Sequence, residues 1–119
     1  MIGANTIGNA TFIAYDKKPI ITTDPWLNDD EAYYGSWTLN FHIPDNIVSD
    51  IFQSEFYWFS HGHPDHLNPH SIKKFLGKKI LLPDHVGLRI YKWLKNIGYN
   101  VKILTDRKWY KLSQNIKVM

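Results

Sequence analysis

The sequence contains no cysteine, no long apolar run and, over its second half, few acidic residues. Without cysteine, disulfide bonds, thiolate metal sites and cysteine nucleophiles are excluded. No apolar run approaches the roughly 18 residues that a membrane span requires. Residues 1–15 have neither the basic start nor the apolar core of a signal peptide. These absences predict a cytoplasmic chain without a membrane segment.

The composition that remains is typical of a folded domain. The chain has 119 residues, of which 44% are hydrophobic and 21% are charged. A disordered chain would have fewer apolar residues and a net charge larger than the +3 found here. The length allows one domain at most.

Charge is divided unevenly between the two halves of the chain. Residues 1–66 carry two lysines against nine acidic residues, whereas residues 67–119 carry twelve lysines and arginines against Asp84 and Asp106. The acidic half favours a cation site, and we expect the lysines of the basic half to lie on solvated faces. No nucleic-acid-binding module is recognisable, so a phosphorylated or nucleic-acid partner on the basic half is kept only as an alternative.

Short runs of β-branched and aromatic residues predict the strands of the first half. Ala10–Tyr15 and Ile20–Thr23 flank a polar turn and predict a β-hairpin. Glu55–Ser60 predicts a buried strand. From Asp24 to about Ile51 no periodic pattern is visible, and we expect a long loop rich in aromatic residues. A loop of this length in a small domain is typically functional.

The second half alternates between helix and strand patterns. Asn68 and Pro69 predict the start of a short helix that ends at Leu76, and an amphipathic helix is expected from Asp84 to about Asn96. Strands are expected at Lys79–Leu82, Tyr99–Leu104, Trp109–Leu112 and Asn115–Met119. This alternation predicts an α/β fold.

The segment HGHPDH, residues 61–66, directly follows the strand predicted at residues 55–60. Alternate side chains of extended backbone point the same way, so His61 and His63 can close on one cation. Pro64 turns the chain, and Asp65 and His66 are expected to point elsewhere, toward a second cation. Imidazole and carboxylate ligands without thiolates suit zinc, iron or manganese.

Two ions held in this way would supply hydrolytic chemistry. A divalent metal lowers the pKa of its bound water to about 7 and so provides hydroxide at neutral pH. Asp65 could bind a metal and also accept the proton of that water, which makes it the candidate catalytic residue. The competing interpretation is a surface loop whose histidines are merely solvated.

The segment SHGHPDH resembles the histidine–aspartate signature of the metallo-β-lactamase fold superfamily of metal-dependent hydrolases. The segments IGNATFIAYD and IITTDPWL are similar to the opening strands of that fold. Together with AYYGSW they resemble one branch, which includes the ascorbate-6-phosphate lactonase type and the metallo-β-lactamase-like domain of CMP-N-acetylneuraminate hydroxylases. The resemblance covers residues 7–118.

This resemblance implies an αββα sandwich with two divalent metal ions, zinc first and iron or manganese as alternatives. His61 and His63 would bind the first ion, and Asp65 and His66 the second. Asp24 would lie behind the ligands and orient an imidazole, or else serve only as a turn residue. Many members of the superfamily have a histidine in place of Asn9.

The resemblance also implies that residues 1–119 are a partial domain, the N-terminal half of the sandwich. The complete sites need a later histidine, a bridging aspartate and a final histidine. We expect neither His70 nor His85 to supply these ligands. We expect His42 to be a solvated loop residue, with a place in a substrate pocket as the alternative. A C-terminal half or an oligomer partner is therefore expected to complete the site, with a compact domain standing alone as the alternative.

The resulting functional prediction is a metal-dependent hydrolase that cleaves an ester, lactone or phosphodiester in a small phosphorylated or sugar-like substrate. The alternative is a non-catalytic fragment or binding module. Such a module would have only a weak metal half-site, made by the same four residues, and a basic face for a partner. Metal stoichiometry and affinity distinguish the two hypotheses.

Overall fold

The computed structural model describes residues 1–84 and 88–119, and it is built on a sheet of six strands in chain order. The strands are β1 (Ile2–Gly8), β2 (Thr11–Asp16), β3 (Lys18–Thr23), β4 (Phe56–Trp58), β5 (Lys79–Pro83) and β6 (Asn100–Leu104). β1, β2 and β3 pair antiparallel, whereas β3, β4, β5 and β6 pair parallel. The sheet is therefore mixed, and four carboxyl ends of parallel strands meet at one edge.

Helical segments connect the parallel strands. Helix α1 (Asp45–Gln53) lies between β3 and β4, a 3-10 helix (Ile72–Phe75) between β4 and β5, and α2 (Leu88–Asn96) between β5 and β6. Within the described ranges, no helix has both the length and the apolar character needed to cross a membrane.

The main core lies between one face of the sheet and these helical segments. Tyr57 of β4 stacks on Phe75 of the 3-10 helix with ring centroids 4.5 Å apart, and both side chains are fully buried. Ile51 of α1 and Leu94 of α2 are buried in the same cluster. This packing fixes the position at which the polypeptide leaves the carboxyl end of β4.

The opposite face of the sheet is only partly covered. Its apolar cluster is centred on Ile21, Leu81 and Leu104, and a small hairpin of β7 (Tyr110–Lys111) and β8 (Lys117–Val118) packs against it. Beside this hairpin a groove of about 900 Å³ stays open.

The α/β class predicted from the sequence is confirmed at the level of a mixed sheet with two helices. The hairpin β2–β3 and the strands β4, β5 and β6 occur where β-branched and aromatic runs predicted them. The second helix is predicted from Asp84, and its first turn includes residues 85–87, which lie outside the described residues, as does the prediction that His85 is not a ligand.

Two predictions about secondary structure are wrong, and one strand was not predicted. The loop expected up to Ile51 ends at Pro44, and α1 begins at Asp45, because Ile47 and Ile51 place an apolar stripe toward the core. The helix expected from Pro69 to Leu76 is reduced to a 3-10 turn. The edge strand β1 was not predicted, because most of its residues are exposed and give no apolar alternation.

Candidate metal centre

The site lies where β3 and β4 end, at the edge formed by the parallel strands. Thr23 of β3 pairs with Trp58 of β4, and the Asp24 amide then donates to the Trp58 carbonyl at 2.7 Å. Asp24 has a φ of 39°, a left-handed conformation that ordinary residues seldom adopt. This turn brings the Asp24 side chain to Ser60, the first residue of the segment SHGHPDH.

The buried carboxylate of Asp24 organises the histidine segment. Its Oδ1 accepts the Ser60 amide at 2.8 Å, and its Oδ2 accepts the Ser60 hydroxyl at 2.7 Å. The same Oδ2 accepts Nδ1–H of His66 at 2.9 Å. One side chain at the end of β3 therefore fixes both ends of a loop that follows β4.

These hydrogen bonds assign the tautomers of two imidazoles. Ser60 gives its single hydroxyl proton to Asp24, so its oxygen is free to accept Nδ1–H of His61, which lies 2.8 Å away. His66 likewise uses Nδ1 to donate to Asp24. In its neutral form each ring therefore presents the lone pair of Nε2, which is the form in which imidazole binds a metal.

The three histidines and Asp65 form one cluster. The ring of His61 lies 4.1 Å from that of His66 and 4.6 Å from that of His63. Nε2 of His66 lies 3.5 Å from Oδ2 of Asp65, which is long for a hydrogen bond. Two ligands of one ion are about 3.0–3.4 Å apart when each metal–ligand distance is about 2.1 Å. The spacing of this pair is thus close to that of two ligands on a shared ion.

Apart from the pair of His66 and Asp65, the described side chains of this cluster do not form a ready metal site. Across residues 1–84 and 88–119, no three histidine or carboxylate side chains are arranged so that they could hold a metal ion as they stand. A site with three protein ligands would require a third side chain to turn toward His66 and Asp65.

Asp65 is held from two other parts of the fold. The hydroxyl of Tyr33 donates to Oδ1 of Asp65 at 2.8 Å, and the side-chain amide of Asn9 donates to its backbone carbonyl at 2.7 Å. Burial acts to raise the pKa of Asp65, but the Tyr33 hydrogen bond and the charges of His66 and His63 hold it below its ordinary value. The same hydrogen bond raises the pKa of Tyr33, so the phenol stays protonated at neutral pH.

The surroundings of His61 favour its neutral form. Desolvation, followed by the charges of His66 and His63, lowers the pKa of His61 below its ordinary value of 6.5. The lowered pKa leaves the ring neutral at pH 7, with Nε2 unprotonated.

The structure brings the candidate residues of the sequence together in a different arrangement. His61, His63, Asp65 and His66 lie in one cluster rather than in two separate pairs, and Asp24 contacts His66 directly. His42 and His70 are exposed. Sequence reasoning assigned no role to Ser60 and left the part of Asn9 open. It placed Tyr33 among the aromatic residues that form either a wall beside the metals or part of the core. It gave no contact to Asp65, because contacts between residues 32 and 56 positions apart leave no local signal.

Fold and site together define a mixed α/β domain with a histidine–carboxylate cluster at a strand edge, and comparisons with known proteins indicate its relatives. A protein of Mycolicibacterium smegmatis named as a Rieske 2Fe-2S iron-sulfur protein is 30% identical over 100 residues, which are 80% of this chain and 18% of that protein. The cytidine monophosphate-N-acetylneuraminic acid hydroxylase of Pongo pygmaeus is 29% identical over 110 residues, 87% of this chain and 18% of the hydroxylase. The human inactive form of that hydroxylase is 28% identical over 110 residues, 87% of this chain and 21% of its own length.

The chain spans about a fifth of the length of the curated relatives it matches. No protein-family model matches the sequence. No solved structure matches it either.

These relatives overturn the functional prediction made from the sequence. Their names describe an iron–sulfur protein and hydroxylases, so they point to redox function and not to hydrolysis. The assignment to the metallo-β-lactamase superfamily of hydrolases, in a branch that includes one domain of the CMP-N-acetylneuraminate hydroxylases, is wrong on this comparison. The prediction of two zinc ions is also wrong, because the first relative is named for an iron–sulfur cluster and the described residues contain no ready metal group.

Proposed function

We propose that this chain is the metal-holding portion of a redox protein related to Rieske-type proteins and hydroxylases, and that its histidine cluster binds a single iron ion. The observation that carries the proposal is the facing pair of Nε2 of His66 and Oδ2 of Asp65, 3.5 Å apart. His66 donates Nδ1–H to Asp24, so in the neutral ring the lone pair of Nε2 faces this carboxylate oxygen. A cation between the two atoms would bind both of them.

A Rieske cluster itself does not fit this chain. A Rieske centre has four protein ligands, of which two are cysteine thiolates and two are histidines. The chain has six histidines and no cysteine, so the thiolate side of the cluster has no ligands here. If the protein works with an iron–sulfur cluster, the cluster has to be held by another polypeptide segment.

The imidazole and carboxylate donors of the histidine cluster instead fit a single non-haem iron. Two imidazoles and one carboxylate, with further positions open, are the ligands that non-haem iron oxygenases use. Here His66 and Asp65 would supply one imidazole and the carboxylate, and His61 the second imidazole. His63 is the nearest further imidazole to His61. When bound at such a site, iron supplies oxidation chemistry with molecular oxygen.

Asp24 and Ser60 would prepare this site before any ion binds. They hold Nδ1 of both His66 and His61, so that each ring offers Nε2. Hydrogen bonds of this kind raise the basicity of a ligand and fix its orientation. In this proposal Asp24 is a positioning residue and does not touch the ion.

The proposal is tested by anaerobic titration of the purified chain with Fe²⁺, and with Co²⁺ as a spectroscopic probe. We expect one equivalent of metal to bind, and His66→Ala to weaken binding at least about 100-fold because a ligand is lost. His70→Ala is the matched control, since His70 is an exposed histidine four residues away. Its affinity should equal that of the unsubstituted chain.

Two results would contradict the proposal. One is equal binding by the His66→Ala and His70→Ala variants. The other is the appearance of a 2Fe-2S absorption spectrum after reconstitution with iron and sulfide, because the chain has no thiolate to support that cluster.

We also propose that the open face of the sheet is covered by a second layer, which would make the fold one half of an αββα sandwich. The groove of about 900 Å³ and the apolar residues Ile21, Trp58 and Leu104 beside it support this. An exposed apolar face of this kind binds the dye ANS. We expect the isolated chain to bind ANS and Trp58→Lys to reduce the dye signal, whereas no binding would mean that the β7–β8 hairpin closes the face by itself.

A further inference from the structure

A tight turn in the loop after β3 places the aromatic side chain of Tyr33 against the cluster of histidines and Asp65. Ala32 and Trp37 form an isolated β-bridge with hydrogen bonds of 2.9 and 3.1 Å, and the turn between them is residues 33–36. Tyr33, Tyr34 and Gly35 have φ values of 52°, 57° and 86°. Three consecutive left-handed residues, two of them tyrosines, form a costly backbone that the surrounding contacts must impose.

The position of this turn is fixed independently of Tyr33. The side-chain amide of Asn68, which is fully buried, donates to the carbonyl of Glu31 at 2.9 Å and to that of Pro64 at 3.1 Å. One side chain therefore ties the loop before Tyr33 to the segment before Asp65. The Tyr33 ring also packs edge-on against Trp37, with centroids 4.7 Å apart.

We propose that Tyr33 is a positioning residue that holds one oxygen of Asp65 so that the other oxygen faces His66. The hydroxyl of Tyr33 binds Oδ1 at 2.8 Å, and only Oδ2 is left toward Nε2 of His66. A carboxylate fixed in this way would bind an ion through one oxygen, in a set orientation. The inference rests on the proposed iron site, and it adds a residue from a distant loop that shapes this site.

The strained turn is consistent with this role. Observed strain of this kind clusters at functional sites. The neighbouring Tyr34 has the same conformation but is fully exposed, so it provides a reference for the strain without the contact to Asp65.

The test compares Tyr33→Phe with Tyr34→Phe. Each substitution removes one hydroxyl and keeps the ring, and the two positions share backbone conformation and loop. We expect Tyr33→Phe to lower the Co²⁺ affinity by roughly 10–100-fold, the usual effect of removing a hydrogen bond to a metal ligand, and to change the visible spectrum of bound Co²⁺. Tyr34→Phe should change neither.

A second measurement needs no metal. Side-chain scalar couplings of Asp65 in the metal-free chain report whether its χ1 angle is fixed or averaged. We expect a single rotamer in the unsubstituted chain and in Tyr34→Phe, and averaging in Tyr33→Phe. A fixed rotamer and unchanged Co²⁺ affinity in Tyr33→Phe would overturn the inference.

The two measurements separate this inference from the proposed function. If the unsubstituted chain binds no metal, the iron proposal fails, and the rotamer of Asp65 still decides whether Tyr33 positions it. If the chain binds one ion and Tyr33→Phe binds it equally well with Asp65 unchanged, the iron proposal stands and the role of Tyr33 is refuted.

Discussion

Replacement of Asn68 by alanine is expected to destabilise the fold and to loosen the cluster at the same time. Asn68 is fully buried and makes four hydrogen bonds through its side chain. Its amide donates to the carbonyls of Glu31 and Pro64, and its oxygen accepts the amides of His70 and Ser71, both at 2.9 Å. The residue therefore joins two loops and caps the turn that precedes the 3-10 helix.

The size of the effect follows from these four bonds. Each hydrogen bond contributes about 0.5–1.5 kcal/mol net. Because the Glu31 and Pro64 carbonyls are only partly buried, water can reach them after the substitution, which favours the lower part of the range. We expect Asn68→Ala to lower the free energy of unfolding by about 2–4 kcal/mol. At about 4 °C per kcal/mol for a domain of this size, this is a fall in Tm of about 8–16 °C.

Urea unfolding followed by circular dichroism measures the change, with Asn96→Ala as the control on an exposed helical asparagine. The control should stay within about 0.5 kcal/mol of the unsubstituted chain. Asn68→Asp separates the two functions, since it keeps the capping oxygen but places an oxygen opposite the Glu31 and Pro64 carbonyls. We expect it to be as destabilising as alanine, and a near-normal stability for Asn68→Asp would refute the proposed tie between the loops.

Three further perturbations test the rest of the structure. Hydrogen bonds from Asn115 lower the pKa of Asp16 below 3.8, so the stability that they provide is present above that pH and is lost below it. Amide exchange of the β7–β8 hairpin should therefore accelerate on acidification, and the acceleration should be smaller in Asp16→Asn. Burial and the hydrogen bond to Asp50 raise the pKa of Tyr15 from 10.0 to about 12, so stability should fall from pH 10 to 12 by circular dichroism, and Tyr15→Phe should reduce that fall. Phe75→Ala empties a fully buried position and should cost about 3–5 kcal/mol in urea unfolding; a cost under about 1 kcal/mol would mean that the main core is misplaced.

Sequence reasoning succeeded where the signal is local. The strands β4, β5 and β6 are short apolar runs between polar residues, and such a run is informative without any knowledge of its neighbours. Helix α1 was missed although Pro44 precedes an acidic first turn at Asp45, and Ile47 and Ile51 are spaced as on one helical face. Its β-branched residues have low helix propensity, and the tertiary packing of Ile51 outweighs that tendency.

The candidate site was predictable only in part, for a similar reason. His61, His63, Asp65 and His66 are neighbours in the sequence, so their density alone marked the segment. What the segment does chemically depends on Asp24, which lies 42 positions from His66 along the chain and decides which nitrogen of the ring is exposed. No pattern within the segment encodes that contact.

The topology of the sheet explains why Asp24 and the histidine segment meet. Adjacent parallel strands end at the same edge, so the residue after β3 and the residues after β4 have to be neighbours once Thr23 and Trp58 are paired. A carboxylate placed after one such strand can then fix Nδ1 of imidazoles placed after the next, and it leaves Nε2 available without occupying the position of an ion. The proposed iron site needs no thiolate, so it is compatible with a chain that has no cysteine, whereas the cluster for which the relative is named needs two cysteine ligands.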